Sequence, residues 1–377
     1  MKAIIAAAGT AGHINPGIAI ANKIKEEEPS SEIIFIGTGR GLEKDLVSRA
    51  GYELKTIEAY GLDFKRPDHL LKTLKGFGDA KKIITKFQPD VVIGTGGYIC
   101  GAVITIAHKL GIPTLLHESN AFPGKAVKML LKRTDCIMVG FEDAINRLKP
   151  ETKIVVTGNP TKIKDLHWNE TQKSKKKAEL GLDSKLPVLL IFGGSQGAKA
   201  INNAVLKVIK AKSNQTYQIV WASGPAQYEY IKKDLENEGL DIENLLHVKV
   251  YPYIYQMEEM MNIADLLMCR SGAMTVNEVS IIGKPAIFVP LPGVSQNHQE
   301  YNARALESRD AARIILNADL ESTDLNAYVQ SMINDSNKLL AMGKKAKELA
   351  HEDAIEKIYA EIKSALKKCN IETQKGK

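Results

Sequence analysis

Cys269-Arg270-Ser271-Gly272-Ala273-Met274-Thr275-Val276-Asn277-Glu278 follows directly on the apolar run Asp265-Leu266-Leu267-Met268. The run is continuous and not alternating, so it reads as a buried parallel strand. The segment after Gly272 reads as a helix. Ser271, Gly272 and Thr275 stand where the first N–H groups of that helix have no partner within it. A helix N-terminus also carries partial positive charge, and the two properties together suit a diphosphate. Glu278 falls about one turn further in, within reach of a neutral polyol such as a ribose. An ordinary capped strand–turn–helix accounts for the same residues, and this segment alone does not choose between the two.

The pattern repeats along the chain. Short apolar runs expected to be strands cover 2–8, 32–37, 90–94, 114–117, 136–141 and 154–157 in the first half, and 187–192, 218–222, 247–251, 265–269, 285–290 and 312–316 in the second. Helical stretches separate them, and most runs are unbroken Val, Ile and Leu. That combination belongs to parallel sheets covered on both faces, so the expected class is α/β with two doubly wound domains. The halves echo each other, each opening on a strand, a Gly-rich turn and a helix: Ala8-Gly9-Thr10-Ala11-Gly12-His13, then Gly193-Gly194-Ser195-Gln196-Gly197-Ala198. The break is expected near Gly158-Asn159-Pro160, giving domains over 1–160 and 161–350. A terminal helix is expected over 351–368, packing back on the first domain, with a flexible tail over 369–377.

The chain has 377 residues, 44% apolar and 25% charged, the composition of an ordinary globular protein of two domains. No apolar run approaches the roughly 20 residues that span a bilayer. The start, Met1 to Thr10, runs into Gly-rich turn chemistry and an amphipathic helix, so it reads as a first strand and not as a signal peptide. Cys100, Cys136, Cys269 and Cys369 have neither metal nor redox spacing and read as reduced thiols. The net charge of +7 does not by itself imply a nucleic-acid partner, and none is expected. Its distribution is more telling. Between Lys65 and Phe87 seven Lys and Arg stand against two Asp, interleaved with Leu70, Leu71, Leu74, Phe77, Ile83, Ile84 and Phe87. Lys125, Lys128, Lys132 and Arg133 form a second basic, apolar segment. Such segments rest on an anionic membrane surface, or are helices with one core face and one solvated face.

Three Gly-rich turns follow strands: Gly9–Gly12, Gly94-Thr95-Gly96-Gly97-Tyr98 and Gly193–Gly197. They fall where open α/β sheets bind ligands, beyond the carboxyl ends of their strands. A dinucleotide-binding dehydrogenase fits poorly. The first turn is not a clean G-x-G-x-x-G, and the strand Ile33–Gly37 ends in Gly-Thr-Gly-Arg without the acid that holds a ribose. There is no Walker motif, no Asp-x-Asp and no His/Cys cluster, so neither an ATPase nor a metal or other cofactor is indicated. His13, just past the first turn, suits a general base or a helix cap. Asn120 and Gln299 follow strands and suit either sugar hydroxyls or turns.

Taken together, Gly9-Thr10-Ala11-Gly12-His13 with Pro16-Gly17, Gly94-x-Gly96-Gly97-Tyr98, His117-Glu118-x-Asn120, Gly158-Asn159-Pro160, Gly193–Ala198 and Cys269–Glu278 resemble the MurG family of bacterial N-acetylglucosaminyltransferases. The resemblance runs from residue 1 to about residue 350 with every motif in order. Members of that family convert lipid I to lipid II in peptidoglycan synthesis. The resemblance implies a GT-B fold, two Rossmann-like domains facing a central cleft. It implies UDP-N-acetylglucosamine on the C-terminal domain and undecaprenyl-linked lipid I on the N-terminal one. It also implies a peripheral position on the cytoplasmic face of the cell membrane, docked through the segment around Leu70–Phe87.

Carried over by position, Lys162 and Ile254 flank the uracil and Glu278 holds the ribose. Ser195 and the turn from Ser271 to Thr275 meet the diphosphate, in place of a metal, and Ala273, Met274, Thr275, Val276 and Asn277 are among the substrate-binding residues. Gln299 and Asn120 contact the transferred sugar, while Thr10, Ala11 and Gly12 line the acceptor side. His13 is the expected general base, with Glu118 second, for an inverting attack by the acceptor's free sugar hydroxyl. Three positions depart from the family pattern. Ala8 and Ala11 stand where it has glycine, and Lys162 stands where arginine is often found, without arginine's planar fork. Two alternatives stay open: another UDP-sugar-dependent GT-B glycosyltransferase with a lipid acceptor, or a catalytically silent UDP-sugar-binding protein.

Overall fold

Unbroken runs of Ile, Val, Leu and Ala can be satisfied only where a strand is covered on both faces, and that is how the chain folds. The computed structural model describes residues 1–40, 42–60, 67–149 and 152–375, without the side chains of 67–71, 295 and 370–375. It separates into two units, one made of Met1–Lys162 with the chain from His351 onward, the other of Ile163–Ala350.

The first unit holds strands β1 (Lys2–Ala7), β2 (Glu32–Gly37), β3 (Glu53–Thr56), β4 (Val91–Gly96), β5 (Thr114–Glu118), β6 (Cys136–Val139) and β7 (Lys153–Val156). They pair in the order β3-β2-β1-β4-β5-β6-β7, all parallel. Side chains alternate across the sheet. Ile4 and Ala6 of β1 therefore join Ile34, Ile36 and Val92 beneath the Ile99–Lys109 helix. Ile5, Phe35 and Ile93 join Ile14 and Ile20 of the Ala11–Glu27 helix on the other face. The second unit holds β8 (Val188–Phe192), β9 (Gln218–Ala222), β10 (Val248–Tyr251), β11 (Leu266–Cys269), β12 (Ala286–Phe288) and β13 (Arg313–Ile314). These pair in the order β10-β9-β8-β11-β12-β13, again all parallel. Two parallel Rossmann-like sheets with helices on both faces are the architecture expected of a GT-B chain.

Two details differ from the sequence reading. Strand β3 was not expected, because Glu-Leu-Lys-Thr is a short edge strand, largely exposed, with no apolar run to announce it. The terminal helix spans Ala354–Lys375 and so runs through most of the stretch expected to be a flexible tail. No Gly or Pro interrupts the helix formers before Gly376. Its Ile358 and Ile362, four apart, are fully buried in the first unit. Glu28 ties the same helix down, accepting from Tyr359 Oη at 3.0 Å, Lys363 Nζ at 2.6 Å and the chain's N-terminal ammonium at 3.1 Å. Cys136 and Cys269 lie in strands, as the apolar runs predict, and Cys100 lies in a helix.

Candidate active site

In each sheet the strand order reverses once, between β1 and β4 and between β8 and β11. Helices leave such adjacent strands toward opposite faces, which opens a crevice at their carboxyl ends. The Gly-rich turns lie there.

In the second unit β11 ends at Cys269 and the Ala273–Ile282 helix begins after three intervening residues, with Gly272 at its N-cap. Gly272 has no side chain to bond the free N–H groups, and the first turn carries no acid. A Cβ built on Gly272 would meet nothing within 4 Å, so the terminus opens onto space. Next to it β8 runs into the Gly193–Gly197 turn and the Lys199–Lys210 helix, whose N-cap Ala198 is equally bare and whose first turn also lacks an acid. Gly197 takes φ +76°, and a Cβ there would lie 2.0 Å from the Ser223 carbonyl oxygen, so this turn requires glycine. Asn169, Asp324 and Asp335 cap other helices of the unit with their side chains, whereas Pro225–Glu236, Met257–Ile263 and His298–Glu307 also lack a side-chain cap, so it is the placement on neighbouring central strands that sets these two termini apart. Two uncapped helix N-termini on neighbouring strands have the unpaired N–H groups that suit a diphosphate-sized anion.

Buried polar struts hold this end together. Arg270 Nη1 donates to the carbonyls of Val289 (3.0 Å) and Pro290 (3.1 Å), and Ser271 Oγ donates to the Gln299 carbonyl (2.8 Å). Asn302 Nδ2 donates to the Ser271 carbonyl (3.2 Å), and the Gln299 Oε1 accepts from the Leu291 N–H (2.9 Å). The Ser271 hydroxyl is thus part of the frame, and the open positions are Gly272, Met274, Thr275 and Glu278. Val276, Asn277 and Ala273 turn their side chains inward. Glu278 lies close enough to Cys269 for its charge to add to burial in raising that thiol's pKa. Ser195 is exposed, and Ile254 is buried between Tyr253 and Tyr255, whose rings meet edge-on at 4.8 Å.

The first unit presents different groups. The His13 Nδ1 donates to the Ala8 carbonyl at 3.0 Å. A carbonyl only accepts, so the proton of the neutral ring lies on Nδ1 and the lone pair on Nε2. Thr95 Oγ1 donates to the His13 carbonyl at 2.8 Å, and Gly96, at φ +135°, leaves room that a Cβ would close to 2.3 Å from the imidazole. Thr10 and Gly12 are exposed and Ala11 is half-buried at the helix start. The methyl of Ala8 is buried in the core, so it does not stand in the open turn.

Glu118 is buried, with both oxygens engaged in its own loop. Oε1 accepts from Asn120 N (2.9 Å) and Nδ2 (3.1 Å), and Oε2 accepts from Gly124 N (2.7 Å). Glu118 therefore orders Asn120. Beside it His117 donates from Nε2 to the Gly158 carbonyl at 3.1 Å, and burial holds its pKa down to about 4, so it is neutral. The Gly158-Asn159-Pro160 turn leaves β7 here. Gly158 (φ +82°) is packed against His351, and Asn159 Nδ2 donates to the Ser119 carbonyl at 3.0 Å. Lys162 is exposed at the end of the first unit.

The structure adds residues that the sequence reading passed over: Arg270, Asn302 and Glu43. The first two form the frame just described. Glu43 is fully buried and accepts four hydrogen bonds, one of them from Gly9 of the first turn. A polar residue of this kind shows in sequence only as an acid, an amide or an arginine near a turn. Among the described residues no group of His, Cys, Asp and Glu side chains is arranged for a metal. A cavity of about 770 Å3 lies at the amino ends of the second sheet among Asp165, Trp168, Lys284 and Lys347, away from the Gly-rich turns. Size alone does not mark the site in a parallel α/β sheet.

Both basic segments are helical. Lys65 and Arg66, with the side chains of Leu70 and Leu71, lie outside the described residues. The Pro67–Phe87 helix buries Ala80 and Ile84, packs Phe77, Ile83 and Phe87 against the core and leaves Leu74 59% exposed. Met129 is 58% exposed beside Lys128, Lys132 and Arg133.

Comparison with known proteins gives a consistent picture. Residues 3–139 match the glycosyltransferase family 28 N-terminal domain, and residues 188–358 match the family's C-terminal domain. A relative from Acetivibrio thermocellus, named UDP-N-acetylglucosamine–N-acetylmuramyl-(pentapeptide) pyrophosphoryl-undecaprenol N-acetylglucosamine transferase, is 43% identical over 372 residues, covering 97% of this chain and 99% of the relative. A relative of the same name from Caldanaerobacter subterraneus subsp. tengcongensis is 39% identical over 97% of this chain and 100% of its own. Among solved structures, Acinetobacter baumannii MurG superposes with a TM-score of 0.78 at 26% identity, covering 96% of this chain and 99% of that one.

Proposed function

The chain belongs to glycosyltransferase family 28, and from that membership we propose that it transfers N-acetylglucosamine from UDP-N-acetylglucosamine to lipid I, the undecaprenyl-pyrophosphoryl N-acetylmuramyl-pentapeptide, giving lipid II and UDP. The observation that carries this reading is the pair of bare helix N-termini at Ala198 and Gly272, a diphosphate site in a chain whose full-length relatives bear that activity in their names.

The donor's diphosphate lies on the second unit against the N–H groups after Gly272, with Ser195 beside it. Glu278 takes the ribose hydroxyls, Ile254 and Lys162 take the base, and Gln299 takes the transferred sugar. The acceptor is held by the first unit at Thr10, Ala11 and Gly12, with Asn120 oriented by Glu118. The acceptor's free hydroxyl oxygen attacks the anomeric carbon with inversion. Its proton passes to His13 Nε2, and the bond from the anomeric carbon to the diphosphate oxygen breaks. The negative charge that develops on that oxygen is stabilised by fixed N–H dipoles. His13 is favoured over Glu118 because both Glu118 oxygens are engaged by its loop, whereas His13 presents a lone pair.

Docking on an anionic cytoplasmic membrane surface belongs to the same reading. It is supported by Leu74 and Met129, exposed apolar side chains on helices rich in lysine. No helix among the described residues is long and apolar enough to cross a membrane. Cosedimentation with vesicles containing anionic lipid should weaken by about 1 kcal/mol for each exposed lysine neutralised, for example Lys75→Gln. Unchanged binding in such variants would rule this surface out.

The activity is tested by UDP release from UDP-N-acetylglucosamine with and without a short-chain lipid I analogue. Analogue-dependent release with formation of the disaccharide is the expected result. Binding of the nucleotide sugar without analogue-dependent release would reject lipid I as the acceptor.

A further inference from the structure

Glu43 opens the Glu43–Arg49 helix and is fully buried, yet no cation pairs with it among the described residues. Its charge is met by N–H and O–H donors alone. Oε2 accepts from Thr38 N at 2.6 Å and Gly39 N at 2.7 Å, and Oε1 accepts from Thr38 Oγ1 at 2.8 Å and Gly9 N at 2.8 Å. Three of the four bonds close the turn after β2. The fourth leaves that turn for the Gly-rich turn after β1. The Gly9 N–H belongs to the same peptide group as the Ala8 carbonyl, which accepts from His13 Nδ1 at 3.0 Å. Carboxylate, peptide and imidazole therefore form one hydrogen-bonded chain.

Hydrogen bonds in such a chain polarise one another. A carboxylate drawing on the N–H of a peptide makes its carbonyl oxygen a stronger acceptor. The stronger acceptor fixes the ring's orientation, keeps the proton on Nδ1 and favours the imidazolium that forms once Nε2 has taken a proton. A carboxylate bonded directly to a histidine acts in the same way. We propose that Glu43 is a positioning residue for the transfer reaction, acting on His13 through the Ala8–Gly9 peptide. The proposal rests on the reading of His13 as the general base.

The competing explanation is that Glu43 only closes its own turn, and Thr38 separates the two. Glu43→Gln removes the charge that reaches Gly9. Thr38→Val removes a hydrogen bond to the same Oε1 but leaves the link to Gly9 intact. Both are made in the full chain, with steady-state kinetics on UDP-N-acetylglucosamine and a short-chain lipid I analogue, thermal melting, and 15N NMR of the histidine rings. Glu43→Gln should lower kcat by about ten- to hundredfold with KM for the nucleotide sugar unchanged, the range of a lost outer-shell partner. The His13 signals should shift from the Nδ1–H form toward a mixture of tautomers. Thr38→Val should keep kcat within about threefold of wild type, because the chain to His13 is left intact. Equal losses in the two variants, or a Glu43→Gln protein with wild-type kcat and tautomer, would overturn the proposal. Should Glu43→Gln fail to fold, the wild type decides: titrating His13 should move the Gly39 amide, which reaches the ring only through Glu43, and a silent Gly39 overturns the proposal. A His13→Ala variant that keeps its turnover would instead sink the reading of His13 as base, and the tautomer measurement would still report on Glu43.

Discussion

At the β1/β4 end of the first unit a buried carboxylate, Glu43, binds the amide N–H groups of Gly9, Thr38 and Gly39. At the β8/β11 end of the second unit a buried guanidinium, Arg270, binds the carbonyls of Val289 and Pro290. The two ends share the reversal of strand order and Gly-bearing turns, and the sign of the buried strut differs between them. The anion takes up the Gly9 N–H, and the first end presents an imidazole lone pair beside it. The cation consumes carbonyls, and the N–H groups after Gly272 stay open. In the proposed mechanism one fold thus provides a base on one sheet and an anion site on the other.

The most severe way to break the comparison is to remove the base. His13→Ala should lower turnover by about 10²- to 10⁴-fold, the range for a lost general base, with KM for UDP-N-acetylglucosamine nearly unchanged because the donor is assigned to the other unit. Steady-state kinetics with the lipid I analogue would show it. Turnover within a few-fold of wild type would remove His13 from the mechanism.

Acid should act on the first unit through His117. Its folded pKa of about 4 lies below the ordinary 6.5, because burial disfavours the cation. Above pH 6.5 the group is neutral in both states and its contribution is complete. As pH falls from 6.5 toward 4 the unfolded chain takes up the proton first and stability is lost, by roughly 3 kcal/mol in all. Melting curves across that window should flatten in His117→Gln relative to wild type. Parallel curves would show that His117 carries no such penalty.

An acid placed at the second end should convert it toward the first. Gly272→Asp meets open space and can cap the bare helix. Stability should hold or rise slightly, while affinity for UDP should fall about ten- to hundredfold, since a hydrogen bond to a charged group is worth about 1.5–3 kcal/mol. Calorimetric titration with UDP measures this, and unchanged affinity would place the diphosphate elsewhere. The smallest effect is expected at Gly194, where φ is +89° and an added Cβ touches nothing. Gly194→Ala should cost only about 1 kcal/mol of strain in thermal melting. A loss several times larger would mean the turn is more tightly packed than its open surroundings suggest.

Much of this was legible in the chain. Among the described residues twelve of the thirteen strands announce themselves as apolar runs, and in most of them the reason is that a parallel strand buried on both faces has no polar position to hide it. The exception, β3, alternates at an exposed edge. The Gly-rich turns and the Ser271–Thr275 segment are equally visible, since only glycine takes the positive φ of Gly96 or Gly197. Glu43 and Arg270 were not. Each acts on backbone groups that sequence distance conceals: Glu43 on a glycine 34 residues earlier, Arg270 on carbonyls 19 and 20 residues later.

By itself the sequence determined the fold class, the family and the places where turns must be glycine, because those follow from local rules of periodicity, sterics and motif. Tertiary structure alone decided which backbone donors and acceptors remain open at each end, which nitrogen of His13 holds the proton, and that Glu118 orders a loop. Those outcomes depend on which distant polar group reaches a given N–H or carbonyl first, and that competition is settled only when the strands are side by side.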